Sequence, residues 1–275
     1  MEIDRDKLRC LIFDIDGTII NDEKTVSPNL CRWLATTART SQLRIILASS
    51  RSEQSLAHIA STLEIDCGFV CYDGGRVLDE RRSLIFEAFL QLCDAAGLFE
   101  ASRRMGLTYS VFDREGWFAS DGGYWTQREI RGTGVTPQIL PHTEMDRRLV
   151  AGSGVYKLMF RGDADAVASF AALDEIATVS GLNTCYSNRP TIFEILSSEI
   201  DKFAACRLLL ERWSLATDEV LFFGDGINDL GCMKNFPHSV AMANGTDEVK
   251  RFARYLTQSN SEEGVFSFLA TLFRP

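Results

Sequence analysis

The sequence CLIFDIDGT at residues 10–18 shows the pattern on which the whole chain is organised. Four apolar residues are followed directly by Asp14 and Asp16, and Gly17 then permits a tight turn. A short apolar run that stops abruptly at acidic residues is typical of a buried parallel strand with polar groups at its carboxyl end. This stretch therefore predicts a strand of an α/β sheet that carries chemistry at one edge.

Similar apolar runs return along the chain, and each ends at small or polar residues. They cover residues 44–48, 220–223 and 239–242. Segments typical of helices accompany them at residues 28–39, 53–63, 202–213 and 247–255. This alternation predicts right-handed crossovers and a doubly wound, Rossmann-like parallel sheet. Because ligands bind at the carboxyl ends of strands in such sheets, we expect Asp14 and Asp225 to lie close together.

The middle of the chain has a different character, because strand-like and helix-like pieces no longer alternate cleanly. The strand-like pieces cover residues 107–112, 116–118 and 155–160, and the helix-like pieces cover 83–96 and 164–177. We predict that residues 82–190 form an inserted α+β cap domain that determines substrate specificity. The core domain is then predicted at 1–81 and 191–275, with its sheet resuming near residues 191–196.

Composition excludes several kinds of partner. The chain has 275 residues, and its net charge of −9 disfavours binding to nucleic acid or anionic lipid. The charged start lacks a secretory signal, and no window approaches the roughly 18 apolar residues of a membrane span. The eight cysteines include no CxxC pair and predict free thiols in a reducing compartment. We therefore expect a cytoplasmic protein that binds neither nucleic acid nor membranes.

The acidic residues at the strand ends indicate phosphoryl chemistry. Carboxylates that repel each other are tolerated where they bind a hard cation such as Mg²⁺, which prefers oxygen ligands. Asp225 and Asp229 could therefore complete a metal site with Asp14 and Asp16. One aspartate can then act as a nucleophile and another as general acid and base. Each signal also has an ordinary reading, since Asp-x-Asp is common in solvated turns. Their occurrence together, in order, at successive strand ends favours the catalytic reading.

The motifs resemble those of the haloacid dehalogenase superfamily, and specifically its Cof-type hydrolases with a large inserted cap. The segment DIDGT at 14–18 is similar to the first motif of that family, and ASSR at 48–51 stands in place of its Ala-Thr-Gly-Arg segment. Lys202 opens a helix as the third-motif lysine does, and GDGIND at 224–229 resembles the fourth motif. The tail from 241 to 265 also follows the subclass, so the resemblance covers nearly the whole chain.

The resemblance implies a catalytic and metal-binding set. Asp14 would be the nucleophile and a Mg²⁺ ligand. Asp16 would be the general acid and base, and its backbone carbonyl would also bind the metal. Asp225 and Asp229 would complete the metal site.

A second implied set would hold the phosphoryl group. Ser49, Lys202 and Asn228 would contact it, and Ser50 lies at a helix start whose backbone N–H groups would contribute. Two departures from the family pattern stand out. Ser50 replaces a glycine, and Asp73-Gly74-Gly75 stands where the subclass usually has Asn-Gly-Ala. The second departure adds a negative charge near the expected site.

The implied function is a Mg²⁺-dependent phosphatase that hydrolyses a small phosphorylated metabolite, such as a sugar phosphate, a nucleotide or a cofactor phosphate. Two alternatives stay open from the sequence. A phosphomutase of the phosphomannomutase type would use the same aspartate chemistry. A catalytically weak protein that only binds phosphorylated metabolites would use the fold without the reaction.

Overall fold

A computed structural model describes residues 3–38, 40, 43–90, 96–150, 154–174, 176, 182–186 and 190–274. The chain divides into two compact units. The first comprises Met1–Glu87 and Asp201–Pro275, and the second comprises Ala88–Ile200. Both limits of the second unit lie further along the chain than the predicted 82 and 190.

The first unit is built on one sheet. Its strands are β1 (Cys10–Phe13), β2 (Arg44–Ala48), β3 (Gly68–Cys71), β4 (Arg76–Leu78) and β5 (Leu84–Glu87). The strands of the second unit are β6 (Thr108–Asp113), β7 (Gly116–Ala119), β8 (Gln138–Ile139), β9 (Val155–Arg161), β10 (Leu182–Tyr186) and β11 (Ile192–Ser197). The first sheet ends with β12 (Val220–Gly224), β13 (His238–Ala241) and β14 (Tyr255–Leu256).

The strand order of the first unit creates a switch point beside β1. The order is β14-β13-β12-β1-β2-β3-β4-β5, parallel from β14 to β3 and antiparallel over β4 and β5. Strand β1 lies between β2 on one side and β12 on the other, and the strand order reverses there. Phe13 of β1 is in register with Leu47 of β2 and Phe223 of β12. Ligands of doubly wound sheets bind at such a point, outside the carboxyl ends of the strands.

Helices accompany both sheets. Those of the first unit are α1 (Pro28–Trp33), α2 (Glu53–Leu63), α7 (Lys202–Arg212), α8 (Leu230–Asn235), α9 (Asp247–Phe252) and α10 (Gly264–Leu272). Those of the second unit are α3 (Ala96–Arg104), α4 (Tyr124–Thr133), α5 (His142–Val150) and α6 (Ala164–Ala171). One core of the first unit packs the fully buried Ile12, Ile46 and Phe222 of the sheet against Leu209 of α7.

The second unit has its own sheet and its own core. Its strand order is β10-β11-β9-β6-β7-β8, antiparallel except for the pair of β7 and β8. Tyr109, Phe160 and Phe193 of the sheet join Phe99 and Phe170 of the helices in one hydrophobic cluster. An antiparallel sheet with helices and a core of its own matches the α+β character predicted for this part of the chain.

Two predicted elements were wrong in type or place. Residues 84–87, predicted as helix, form β5, whose exposed and half-buried positions alternate with the two-residue period of a strand. The strand at 192–197 does not resume the core sheet but pairs antiparallel with Val155–Arg161 in the second unit. Its six residues are all buried, and such a run looks alike in either sheet.

Three helix ends also differ from the predictions. The α-helix from Pro28 stops at Trp33 and continues as a π-helical turn over Leu34–Ala38. The helix from Ala164 stops at Ala171, and the helix from Asp247 stops at Phe252 because Tyr255 pairs with Val240 in the sheet. Helix ends are the boundaries that local patterns define least well.

Six of the cysteines are free thiols, namely Cys10, Cys31, Cys67, Cys71, Cys206 and Cys232. Cys93 and the side chain of Cys185 lie outside the described residues. Among the helices that the structure describes, none combines the length and apolar character needed to cross a bilayer.

Candidate active site

The topology brings two acidic segments together at the switch point. Asp14 directly follows β1, and Asp225 directly follows β12, the parallel neighbour of β1. Gly17 leaves the first segment with a φ of +85°, and a Cβ at this position would overlap the carboxylate of Asp225. A glycine is therefore required here both for the backbone conformation and for the close approach.

Three buried carboxylates converge at this point. Asp14, Asp225 and Asp229 each offer one oxygen, and these oxygens lie within 4.8 Å of one another. Asp229 is positioned by the loop itself, because its second oxygen accepts hydrogen bonds of 3.0 Å from the backbone N–H groups of Asp225 and Gly226. Thr18 donates to Asp225 over 3.4 Å. The arrangement is that of a site for a hard cation with oxygen ligands.

Burial and mutual repulsion both disfavour the charged forms of these carboxylates. Burial, with the charge of Asp229, raises the pKa of Asp14 well above its ordinary value, although Lys202 opposes the shift. Burial and Asp229 also raise the pKa of Asp225 to about 7. A bound cation would relieve this repulsion, so the donor set fits Mg²⁺.

Lys202, the first residue of α7, lies between two members of the cluster. Its ammonium group is 2.8 Å from an oxygen of Asp14 and 2.7 Å from an oxygen of Asp229, and all three side chains are buried. Burial alone would lower the pKa of Lys202, but the two carboxylates raise it well above its ordinary value. The helix starts at Lys202 because Asp201 caps it and accepts a hydrogen bond from the N–H of Ala204.

Asp16 is held apart from the cluster by cations of its own. Arg51 contacts both of its carboxylate oxygens, at 2.6 and 2.8 Å, and Lys24 lies 2.9 Å from one of them. Burial acts to raise the pKa of Asp16, but the charges and hydrogen bonds of Arg51 and Lys24 hold it well below its ordinary value. Asp16 is therefore ionised in this arrangement.

The other expected phosphate-binding residues lie around the same sheet edge. Ser49 is buried just beyond β2, accepts a hydrogen bond of 3.3 Å from the N–H of Arg51, and is followed by the half-buried Ser50. Asn228 follows β12 and donates to a carboxylate oxygen of Asp73 over 3.0 Å. The structure thus joins Asp14, Asp225, Asp229 and Lys202 by short contacts, and it places the serines on the adjacent strand end.

Four further residues contribute to the site, although the sequence predicted no specific role for any of them. Arg51 and Lys24 hold Asp16, Thr18 supports Asp225, and Asn244 donates to the carbonyl of Gly17 over 2.8 Å. Thr18, Arg51 and Asn244 lie inside the motifs at 14–18, 48–51 and 241–265, but no individual role was predicted for them. Asn244 closely follows β13, so its position agrees with the expectation that polar residues after parallel strands gather at one edge.

Comparison with known proteins agrees with this geometry. Residues 11–269 match the family model of haloacid dehalogenase-like hydrolases. The 5-amino-6-(5-phospho-D-ribitylamino)uracil phosphatase YcsE of Bacillus subtilis is 22% identical to the chain, over 94% of this chain and 93% of its own length. The phosphatase YitU of the same species, which carries the same activity name, is also 22% identical, over 96% and 97% of the two chains.

Solved structures show the same fold. A haloacid dehalogenase-like hydrolase from Bacteroides thetaiotaomicron superimposes with a TM-score of 0.86 at 25% identity, over 97% of this chain and all of the other. The protein BT1666 of the same species, described as a phosphatase of this superfamily, gives a TM-score of 0.75 at 20% identity, over 99% and 97%. Together with the family match over most of its length, these comparisons establish that the chain belongs to the haloacid dehalogenase-like hydrolases.

Proposed function

We propose that this protein is a Mg²⁺-dependent phosphatase that hydrolyses a small phosphomonoester through an aspartyl-phosphate formed on Asp14. The observation that carries the proposal is the buried contact of Lys202 with both Asp14 and Asp229, beside Asp225. A lysine that orients one carboxylate and faces a cation site suits phosphoryl transfer, where positioning and charge neutralisation supply most of the catalysis.

Asp14, Asp225 and Asp229 would hold Mg²⁺ through their carboxylates, and the family resemblance adds the backbone carbonyl of Asp16. When bound, the cation would supply positive charge beside the oxygens of the transferring phosphoryl group. Burial, together with the charge of Asp229, raises the pKa of Asp225 to about 7, and a cation bound beside it would favour the ionised carboxylate.

In the first step, a carboxylate oxygen of Asp14 attacks phosphorus while the bond from phosphorus to the ester oxygen breaks. The protonated carboxyl group of Asp16 gives its proton to the departing oxygen, so the product leaves as an alcohol. The contact of Lys202 with one oxygen of Asp14 fixes the orientation of the nucleophile.

In the second step, water attacks phosphorus, the acyl phosphate bond to Asp14 breaks, and Asp16 accepts the proton of the water. The ion pairs with Arg51 and Lys24 suit this step, because they favour the ionised carboxylate. The first step requires the protonated form of Asp16. The ion pairs of Asp16 with Arg51 and Lys24 therefore have to weaken when substrate binds. Arg51 and Lys24 are thus positioning residues for proton transfer.

The phosphoryl oxygens need donors in both steps. Lys202, Ser49 and Asn228 would supply side-chain donors, and the backbone N–H groups at the start of α2, beside Ser50, would supply more. The buried hydroxyl of Ser49 stands one residue beyond β2, next to the strand that carries Asp14.

The proposed substrate is a small phosphorylated metabolite in the cytoplasm. The net charge of −9 disfavours nucleic acid as a partner, and the free thiols suit a reducing compartment. The two Bacillus relatives are named for a ribitylaminouracil phosphate, so this compound belongs in a substrate panel beside sugar phosphates, nucleotides and pyridoxal phosphate.

The test is release of inorganic phosphate from that panel, with Mg²⁺ and with a chelator. We expect release with Mg²⁺ only. If the protein isomerises a hexose phosphate faster than it releases inorganic phosphate, its function is that of a phosphomutase. Tight binding of a panel member without turnover would leave a binding protein.

A further inference from the structure

An additional carboxylate lies among the proposed phosphate-binding donors. One oxygen of Asp73 accepts a hydrogen bond of 3.0 Å from the side-chain amide of Asn228 and lies 3.5 Å from the ammonium group of Lys202. The proposed function assigns both of these donors to the phosphate of the substrate. Asp73 therefore places a negative charge where phosphate binding calls for donors.

The backbone holds Asp73 in this place. The residue adopts a φ of +52° in a turn after β3, in the left-handed region that glycine, asparagine and aspartate adopt more readily than other residues. Its N–H donates to the carbonyl of Ser49 over 2.9 Å, and the N–H of Tyr72 donates to the carbonyl of Arg51 over 3.1 Å. These two backbone hydrogen bonds hold the turn that carries Asp73 against the segment of Ser49 and Arg51.

The proposed chemistry does not use Asp73. The charge of Lys202 is already met by Asp14 at 2.8 Å and Asp229 at 2.7 Å, so Asp73 is the third carboxylate within 4 Å of one ammonium group. Its other oxygen makes no hydrogen bond or ion pair with a residue that the structure describes. The side chain is 14% exposed, so a small molecule can reach it.

The charge of Asp73 affects substrates in opposite ways. A phosphate oxygen bound to Lys202 would lie within about 6 Å of this carboxylate, and at that distance like charges repel appreciably in a partly buried site. A substrate that carries an ammonium group near its phosphate would instead gain an ion pair with the second oxygen of Asp73. One carboxylate can thus oppose one class of phosphomonoester and favour another.

We propose that Asp73 is a specificity-determining residue that selects phosphomonoesters bearing a cationic amine close to the ester oxygen and weakens the binding of those that carry only negative charge. This proposal rests on the proposed phosphatase function. It names the class of substrate that the site prefers, and it also implies weak inhibition by the product, inorganic phosphate.

The test compares two substrates that differ in one group, O-phosphoethanolamine and 2-hydroxyethyl phosphate. We measure kcat/KM for both with the wild-type protein, with Asp73→Asn and with Asp66→Asn. Asp66→Asn is the matched control, because Asp66 is exposed and precedes the same strand whose carboxyl end leads to Asp73. Inorganic phosphate binding in the presence of Mg²⁺ is measured by calorimetry for each protein.

We expect the amine-to-hydroxyl ratio of kcat/KM to fall at least about ten-fold in Asp73→Asn, and phosphate to bind about ten-fold more tightly. Asp66→Asn should leave both quantities at their wild-type values. Equal changes in kcat/KM for the two substrates, or no change, would overturn the proposal. Such a result would assign Asp73 a purely structural role.

A second variant guards against misfolding. Asp73→Gly removes the charge and adopts the positive φ without strain, so it should fold at least as well as the wild type and shift the ratio in the same direction. Absence of turnover by the wild type on every substrate would instead refute the phosphatase function. Calorimetry would still test the repulsion between Asp73 and phosphate. If phosphate binds Asp73→Asn and Asp73→Gly as it binds the wild type, the proposal is overturned.

Discussion

The ammonium group of Lys202 lies 2.8 Å from a carboxylate oxygen of Asp14, although 188 positions separate the two residues in the chain. The contact joins the first turn of a helix to the end of the central strand of the sheet. Because Lys202 also lies 2.7 Å from Asp229, it neutralises two carboxylates that would otherwise face each other in a buried site. We therefore predict that Lys202 contributes both to the proposed chemistry and to the stability of the folded protein.

Replacing the lysine tests both roles. Lys202→Met should lower kcat by about 10²-fold or more, because the nucleophile loses its orienting donor. Without Mg²⁺ it should also destabilise the protein by up to about 3–5 kcal/mol, since it leaves buried carboxylates unpaired. Urea unfolding and steady-state kinetics measure the two effects. Lys234→Met, at an exposed position, is the control; equal effects of the two changes would argue against the role of Lys202.

The pairing of Arg51 with Asp16 predicts a graded response. Arg51→Ala should lower kcat by about 10²-fold, because Asp16 loses the two-point contact that orients it for proton transfer. Arg51→Lys keeps the charge but cannot make both contacts, so its kcat should fall between those of the wild type and Arg51→Ala. Wild-type kcat in Arg51→Ala would show that this pair does not position Asp16.

The cation site can be disturbed without removing a functional group. A Cβ on Gly224 would lie 2.5 Å from a carboxylate oxygen of Asp229, so Gly224→Ala should displace that carboxylate. We expect a higher Mg²⁺ concentration for half-maximal activity, by about ten-fold, since one of the few protein ligands moves. Gly132→Ala is the control, because a Cβ on Gly132 meets no atom within 4 Å. An unchanged Mg²⁺ requirement would separate Asp229 from the cation site.

Metal binding should be visible as stability. Mg²⁺ at about 100 times its dissociation constant should stabilise the folded protein by about 2.7 kcal/mol and raise its Tm. In Asp225→Asn this gain should shrink, because one carboxylate ligand is lost. Thermal unfolding with and without Mg²⁺ gives the comparison. A gain that is the same in both proteins would place the cation elsewhere.

Asp79 predicts a stability that depends on pH. Burial tends to raise its pKa, but hydrogen bonds from the N–H groups of Ser83 and Arg81 and the ion pair with Arg212 lower it from 3.8. The folded protein therefore binds this proton less readily than the unfolded chain, and stability is present above pH 3.8 and lost as the pH falls further.

The variant Asp79→Asn isolates this contribution. At pH 7 it should unfold more easily than the wild type, by about 1 kcal/mol, because the hydrogen bonds from Ser83 and Arg81 then meet a neutral acceptor and the ion pair with Arg212 is lost. The difference should narrow as the pH falls below 4. Urea titrations at several pH values measure it, and a gap independent of pH would show that the charge of Asp79 does not matter.

The meeting of Asp14 and Asp225 in the candidate site was predictable from the sequence, because the carboxyl ends of parallel strands lie at one edge of the sheet. Asp14 and Asp225 end neighbouring strands, and the apolar runs before them fixed both positions. The strand at residues 192–197 was assigned to the wrong sheet for the opposite reason. Its residues are buried on both faces, so its sequence does not indicate which sheet it joins. The cations that hold Asp16 were missed because side-chain pairing between distant loops has no local pattern.

The most direct test of the proposed function is a rapid-quench turnover of a substrate from the panel in Mg²⁺, followed by mass spectrometry of the peptide that contains Asp14. We predict a phosphorylated Asp14 that forms and decays within the turnover. We also predict that Asp14→Asn, although folded and able to bind Mg²⁺ weakly, neither acquires the phosphoryl group nor releases phosphate. Phosphate release that persists in Asp14→Asn would refute the proposed mechanism.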